Sequence, residues 1–180
     1  MVDLTPQQVA QYQEDGFLIV DRVIDPDFAA RVGARFERMF RGEFETGLVP
    51  DAWNWKEGRD SNELTRQICN GWRADHTVAS LVLSAEVGRM VATLEGWPGA
   101  RIAQDNIIWK PPGAKPLGFH QDDSYNGWMV PAHMASCWIA LDRTTAAGGT
   151  VEYIRGSHKW PISPPIGEFH APKDYRAALR

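Results

Sequence analysis

Gly118-Phe119-His120-Gln121-Asp122 is the stretch of this sequence that decides both the fold and the chemistry. In extended backbone, side chains two residues apart project from the same face, so His120 and Asp122 can contact one ion while Gln121 points away. An imidazole and a carboxylate are two of the three protein ligands in the 2-His-1-carboxylate facial triad, which binds Fe(II) and leaves coordination positions open. Composition alone makes such pairs common, so the surrounding sequence must support the interpretation.

The composition places the chain among ordinary globular proteins. Its 180 residues are 43% hydrophobic and 23% charged, which is enough for one domain with a real core. The net charge of -4 gives no basic surface for nucleic acid. The apolar runs are too short to span a bilayer and the start resembles no signal peptide, so we expect no membrane partner and a cytoplasmic location. Cys69 and Cys137 are expected to be packed thiols.

The first half of the chain has the start and stop signals of helices. A capping Thr5 followed by Pro6 predicts a short helix that ends at Gly16, and Asp25 followed by Pro26 predicts a second helix that ends at Gly42. Ser84 predicts the start of a third helix. Between the first two helices, residues 17–20 are apolar and predict a buried strand.

Residues 43–62, between the second and third helices, show no periodicity and predict a long, lid-like loop. The character of the sequence changes after Gly99. Residues 101–110, 134–142 and 150–154 predict strands. Helices first and strands second indicate an α+β fold, a single domain with a helical part at 1–98 and a mainly β core at 99–180.

Four segments in this order resemble the phytanoyl-CoA dioxygenase-like family of Fe(II)/2-oxoglutarate-dependent oxygenases. The resemblance implies a double-stranded β-helix, the cupin-like jelly roll, with N-terminal helices. It also implies Fe(II) and 2-oxoglutarate as cofactors, with ascorbate in support, and O2 as co-substrate. The segments are Asp15 to Val20 after a helix, Lys110-Pro111-Pro112-Gly113 ahead of His120-Gln121-Asp122, Trp138 to Asp142, and Gly148-Gly149-Thr150 leading to Arg155-Gly156-Ser157-His158-Lys159.

The resemblance also implies roles for individual residues. His120 and Asp122 match the first two iron ligands, and both count as catalytic for that reason. Trp138 matches an aromatic residue of the co-substrate pocket, and Asn106 falls where a side chain contacts 2-oxoglutarate. An amide can donate to a carboxylate, which gives Asn106 a physical reason for that role. Related halogenases replace the carboxylate by a small residue, so Asp122 indicates hydroxylation.

The third iron ligand and the Arg that binds the far carboxylate of 2-oxoglutarate have no convincing match. His158 lies in a Gly-Ser turn and His170 in a Pro-rich loop, and no suitable Arg follows either. We therefore expect both residues beyond Arg180, in an N-terminal fragment whose barrel is incomplete. Asp123 is a weaker alternative to Asp122, because three residues from His120 it points elsewhere in extended backbone.

Three functions follow from these residues. The first is a dioxygenase that hydroxylates a small molecule and releases succinate and CO2. The second is a non-catalytic jelly-roll binding protein or inactive truncated homologue that lacks the third ligand, and the third, weaker option is a cupin-type isomerase or hydrolase. A polar set around Trp72, formed by Arg66, Asn70 and Arg73, could bind an anionic substrate, although a solvated surface is the simpler interpretation.

Overall fold

Four helices and a small sheet form the framework of the protein. The computed structural model describes residues 3–131, 133–167, 172–176 and 179. The fold is α+β, as predicted. In chain order its elements are α1 Pro6–Asp15, α2 Pro26–Phe40, β1 Ala52–Trp53, β2 Arg66–Cys69, α3 His76–Val82, α4 Ala85–Glu95 and β3 Asn106–Trp109, with short 3-10 turns at Gly71–Arg73, Asp122–Tyr125, Ala146–Gly148 and Ser157–Lys159.

The helix ends follow the local signals in the sequence. Thr5 and Gln8 form a capping box in which each side chain accepts a hydrogen bond from the other's backbone N–H, at 3.2 and 2.9 Å. The side chains of Asp25 and Ser84 cap α2 and α4 by accepting hydrogen bonds from backbone N–H groups of the first helical turn, without the reciprocal bond of a capping box. All three predicted helices are therefore confirmed. The structure adds α3, which the sequence did not predict.

The three strands form an antiparallel sheet in the order β1-β2-β3. Ile68 of β2 is opposite Ile107 of β3, and both side chains are buried against α2, where they pack with Met39 and Phe40. Since side chains alternate along a strand, the opposite face of the sheet carries residues such as Ile108, which is 41% exposed. The sheet thus has one face on the core and one open face.

The predicted lid-like loop at 43–62 contains more structure than expected. β1 lies inside it, and Trp55 is buried in the core with its indole edge-on to Phe40. Trp53 packs in the same manner on Phe44. Aromatic side chains anchor this segment to the core, and its role as a lid stays a prediction.

Several predicted strands are not formed in the described part of the chain. Residues 17–20 have no strand partner and Ile19 is 79% exposed, so the buried strand predicted there is wrong. From residue 99 onward, only Asn106–Trp109 is a β-strand among the described residues; 134–142 and 150–154 form no strand. A strand needs a hydrogen-bonded neighbour, which composition does not reveal. The double-stranded β-helix therefore stays a prediction.

Residues 76–95 are long and apolar enough, by length and composition alone, to cross a membrane. This finding differs from our expectation of short apolar runs. The segment is divided at Leu83 and Ser84 into helices of 7 and 11 residues, and Val78 and Leu81 of α3 are buried in the core. At about 1.5 Å per residue, each helix is shorter than the roughly 30 Å of a bilayer core.

A turn at residues 155–159, the docking turn, packs against the end of α1. Arg155 Nη1 donates to Asp15 Oδ1 at 3.0 Å, and the Gly156 N–H donates to the Asp15 carbonyl at 2.8 Å. Asp15 is 3% exposed, whereas the Arg155 side chain that pairs with it is 73% exposed, so Arg155 covers the carboxylate from the solvent side. Next to the turn, the ring of Tyr153 stacks on Phe17 at 5.4 Å. The late part of the chain is thereby fixed to the N-terminal helix.

Candidate metal centre

His120 and Asp122 are in direct contact, as their spacing predicted. His120 Nε2 lies 3.2 Å from Asp122 Oδ1, with side chains 26% and 51% exposed. The other ring nitrogen, Nδ1, lies 2.8 Å from the Gly118 carbonyl oxygen, to which it can donate its N–H. When the imidazole is neutral, this bond places the remaining N–H on Nδ1 and leaves Nε2 as the atom that can bind an ion, an arrangement that metal-binding histidines share.

Three neighbouring side chains surround the pair. Asn126, only 8% exposed, donates from Nδ2 to the Asp122 carbonyl oxygen at 2.9 Å and closes the 3-10 turn that Asp122 begins. Ser136 donates from Oγ to Asp122 Oδ2 at 2.6 Å. The ring of Tyr125 lies edge-on to the imidazole, with 5.8 Å between the ring centres. Asp122 is thus held at its backbone and at its carboxylate.

The pair favours the charged form of each partner. The hydrogen bond to Asp122 is the main reason that the pKa of His120 lies above its usual value, although burial opposes the rise. The same bond, assisted by the one from Ser136, holds the pKa of Asp122 below its usual value. A metal ion must therefore displace a proton from His120, since only the neutral imidazole is a ligand.

The donor set fits a hard or borderline divalent cation such as Fe(II). Two ligands about 2.1 Å from an ion and at right angles to each other are about 3 Å apart, and the observed separation of Nε2 and Oδ1 is 3.2 Å. Imidazole and carboxylate are both suitable ligands for non-haem iron. Within the described residues, no group of three or more His, Cys, Asp or Glu side chains could hold a metal ion.

The two histidines considered as a third ligand have different outcomes. His158 lies in the docking turn, where Nε2 is 3.2 Å from the carbonyl oxygen of Gln13 and the ring packs on Gly16. Its position serves the contact with α1 rather than the pair. His170 lies outside the described residues.

Asn106 and Trp138 line the same broad, open cleft as His120 and Asp122. Asn106 begins β3, and its Oδ1 accepts hydrogen bonds from Gln67 Nε2 and Cys69 Sγ, each at 2.9 Å. Trp138 is 44% exposed. The structure brings His120 and Asp122 together, whereas Asn106 and Trp138 share only the cleft with them.

The polar set around Trp72 has local partners. The Arg66 guanidinium carbon lies 3.7 Å from the ring centre of Trp55 and 4.5 Å from that of Trp109, so it is placed between two indoles. Asn70 and Arg73 both bind Asp51, at 2.7 and 2.8 Å. These contacts support a structural role for the set.

Sequence reasoning missed Ser136, Asn126 and Tyr153 near the pair. Burial raises the pKa of Tyr153, and the charge of Asp122 adds to the rise, so the phenol interacts electrostatically with that carboxylate. Ser136 precedes Trp138 by two residues, and this spacing in a strand-like segment was a usable signal that both face the cleft. Asn126 and Tyr153 gave no comparable signal.

Comparisons with known proteins identify the family of the chain. The family model described as phytanoyl-CoA dioxygenase (PhyH) matches residues 12–177. The peroxisomal phytanoyl-CoA dioxygenase of Mus musculus is 28% identical in an alignment of 172 residues that covers 89% of this chain and 49% of the relative. The ectoine dioxygenase of Bordetella parapertussis is 28% identical over 191 residues, 98% of this chain and 56% of the relative.

A third relative, from Stutzerimonas stutzeri, is described as a probable alpha-ketoglutarate-dependent hypophosphite dioxygenase. It is 21% identical over 161 residues, 87% of this chain and 54% of the relative. The chain thus spans about half the length of the curated relatives it matches. No solved structure matches significantly. Because the family model covers nearly the whole sequence, the chain belongs to the phytanoyl-CoA dioxygenase (PhyH) family.

Proposed function

We propose that this chain carries the His-x-Asp part of an Fe(II) site in a 2-oxoglutarate-dependent dioxygenase that hydroxylates a small molecule. The observation that carries the proposal is the 3.2 Å contact between His120 Nε2 and Asp122 Oδ1, with His120 Nδ1 2.8 Å from the Gly118 carbonyl oxygen. When bound, Fe(II) and 2-oxoglutarate would supply the oxidising chemistry: one oxygen atom of O2 enters the C–H bond and the other enters succinate, with release of CO2.

The side chains of this chain would bind and orient. His120 and Asp122 hold the ion on one side, and His120 loses its proton to do so. Asn106 is proposed to donate its amide N–H to a 2-oxoglutarate carboxylate, since its Oδ1 is already used by Gln67 and Cys69. Trp138 forms an aromatic wall of the same cleft.

The fold proposed for this family member is a double-stranded β-helix with N-terminal helices, in a single domain divided near residue 98. The support is the two-sided sheet: Ile68 and Ile107 face the core, while Asn106 and Ile108 face the cleft that the ligand pair also lines. A barrel strand has this alternation of an outer packed face and an inner lining face. We keep the cytoplasmic location as a prediction that rests on the sequence.

The test is succinate formation from 2-oxoglutarate by the natural full-length protein, with Fe(II), ascorbate and O2. The relatives' names give three substrates to try, namely an acyl-CoA, ectoine and hypophosphite. We expect succinate with at least one substrate or without any, and its loss in Asp122→Ala. The matched control is Asp123→Ala, which removes the adjacent carboxylate and should retain turnover. No succinate under any condition would contradict the proposal.

One observation favours a second function. No third ligand for the pair is found among the described residues, which is the pattern expected of a non-catalytic jelly-roll binding protein. Isothermal titration with 2-oxoglutarate and Mn²⁺ separates the two functions. Binding of both without any succinate would support the binding protein, whereas succinate formation excludes it.

A further inference from the structure

Ser136 contacts the oxygen of Asp122 that His120 does not use. Its hydroxyl donates to Oδ2 at 2.6 Å, while Oδ1 is the atom 3.2 Å from His120 Nε2. A hydrogen bond to a charged acceptor at this distance is among the stronger ones in proteins. The two oxygens of the carboxylate therefore have different partners. Oδ1 contacts His120, two residues earlier in the chain, and Oδ2 accepts from Ser136, 14 residues later.

The segment that carries Ser136 is itself anchored. Ile139 and Leu141 pack against the hydrophobic core, and Trp138, just before them in the chain, lines the cleft. The position of Ser136 is thus fixed by apolar contacts that do not depend on its own hydroxyl. Ser136 is exposed, so removing its oxygen leaves no buried cavity.

Without this hydrogen bond, the Asp122 carboxylate could rotate about its Cβ–Cγ bond. Such a terminal torsion is broad, and the other contact of the carboxylate, from His120 to Oδ1, is lost as a hydrogen bond when His120 gives up its proton to bind an ion. Rotation exchanges the two oxygens or turns both away from the imidazole. A metal ion that binds a rotating carboxylate must fix this torsion, which has an entropic cost. A donor on Oδ2 removes that freedom in advance.

We propose that Ser136 is a positioning residue that holds Asp122 Oδ2 and thereby presents Oδ1, next to His120 Nε2, to the metal ion. The inference rests on the proposed metal site and adds a residue to it. Ser136 acts through Asp122 and does not itself bind the ion. Outer partners of metal ligands commonly change metal affinity about 10- to 100-fold when removed, and we expect an effect in that range.

The test compares Mn²⁺ binding by the full-length protein and its variants, with free Mn²⁺ measured by electron paramagnetic resonance. Mn²⁺ accepts imidazole and carboxylate ligands and avoids the oxidation of Fe(II). Ser136→Ala should raise the Kd about 10- to 100-fold, and Ser136→Thr, which keeps the hydroxyl, should restore most of the affinity. The control is Ser80→Ala, which removes an exposed hydroxyl bound to the Thr77 carbonyl in α3.

The unfolding midpoint in urea should be the same for wild type and Ser136→Ala, which separates positioning from a general loss of structure. If Ser136→Ala binds Mn²⁺ as wild type does, or if Ser136→Thr is as weak as Ser136→Ala, the inference is wrong while the metal site stands. If wild type and Asp122→Ala bind Mn²⁺ equally, the proposed metal site is wrong and the role of Ser136 falls with it.

Discussion

His120 and Asp122 stabilise each other's charge, and the contribution of this contact to the stability of the protein depends on pH. The pKa of His120 is raised above 6.5, so its contribution to stability is complete below pH 6.5 and is lost as pH rises through the raised value. The pKa of Asp122 is lowered below 3.8, so its contribution is complete above pH 3.8 and is lost as pH falls through the lowered value. Metal affinity has the opposite trend at His120, increasing as the imidazole loses its proton.

We predict that Asp122→Asn lowers the pKa of His120. The hydrogen bond that His120 donates to Asp122 is the largest cause of the raised pKa; without it, burial lowers the pKa and only the bond to Gly118 still opposes that effect. Titration of the His120 ring signals by NMR measures the change in the metal-free protein. Asp123→Asn, the neighbouring carboxylate, serves as control and should leave the value as in wild type. An unchanged His120 pKa in Asp122→Asn would contradict the contact.

The contact between His120 and Asp122 was predictable because it depends only on spacing along one stretch of chain. The bond from Ser136 was not, because it joins positions 14 apart whose approach is decided by packing of Ile139 and Leu141. For the same reason, the sequence marks Arg66, Asn70 and Arg73 as a polar set but does not reveal which residues they contact. Local geometry is encoded locally, and the surrounding contacts depend on the fold.

At the scale of elements, two helix caps with the same local pattern lie in different environments. Asp25 accepts the N–H groups of Asp27 and Phe28 at the surface. Asp75 accepts those of Thr77 and Val78 but is fully buried and also binds Arg35 Nε at 2.6 Å. A comparison of Asp25 with Asp75 therefore isolates the effect of burying a capping carboxylate on the free energy of unfolding.

We predict that Asp75→Ala destabilises the protein far more than Asp25→Ala. Loss of an exposed cap costs about 1 kcal/mol, whereas leaving Arg35 without its buried partner adds about 3–5 kcal/mol. Urea unfolding followed by circular dichroism gives both free energies. Equal effects of the two substitutions would show that the Arg35 pair contributes nothing beyond the cap.

The glycine that ends α1 has a second constraint beyond its backbone angle. Gly16 has φ +83°, and a Cβ there would overlap the imidazole of His158. Gly96 ends α4 with φ +68° and has nothing within 4 Å of such a Cβ. Both require the left-handed conformation, but only one also requires space.

We predict that Gly16→Ala is more destabilising than Gly96→Ala, for which the conformational cost alone is about 1–2 kcal/mol. The excess should disappear when His158→Ala is added, since the clash partner is then removed. A double-mutant cycle of unfolding free energies measures this coupling. A coupling of zero would mean that the docking turn moves aside without cost.

The elements themselves were predictable to the extent that their signals are local. Thr5, Asp25 and Ser84 mark helix starts through bonds to residues two or three positions away. Asp75 also caps a helix, but α3 has only seven residues and no periodic face that the sequence could reveal. Residues 17–20 have strand composition and no partner, since Phe17 stacks on Tyr153 instead of joining a ladder.

At the scale of the molecule, the sheet has an open face and, among the described residues, unpaired edges that other chains could contact. Each of the outer strands β1 and β3 has a single neighbour in the described sheet, and Ile108 of β3 is 41% exposed. Exposed strand edges with apolar side chains promote association between chains. The closure of the barrel proposed above cannot be derived from the sequence, because it depends on strand pairs far apart in the chain.

We predict that residues 1–180 associate in a concentration-dependent manner and that Ile108→Lys reduces this association. A lysine on an edge strand opposes pairing with another chain. Sedimentation velocity across the micromolar range measures the effect. Ile19→Lys is the control, because Ile19 is 79% exposed but lies outside the sheet. A chain that is monomeric throughout, or that responds equally to both lysines, would exclude the sheet face as the cause.

The contact between Asp15 and Arg155 has a consequence for how the protein is made on the ribosome. The two residues are 140 positions apart, so α1 leaves the exit tunnel long before its docking turn exists. At about 5–20 residues per second, the delay is roughly 7–30 s. During synthesis, α1 meets α4 first, through Gln13 and the Leu94 carbonyl. Until Arg155 has been synthesised, the Asp15 carboxylate therefore lacks this partner and remains in contact with water.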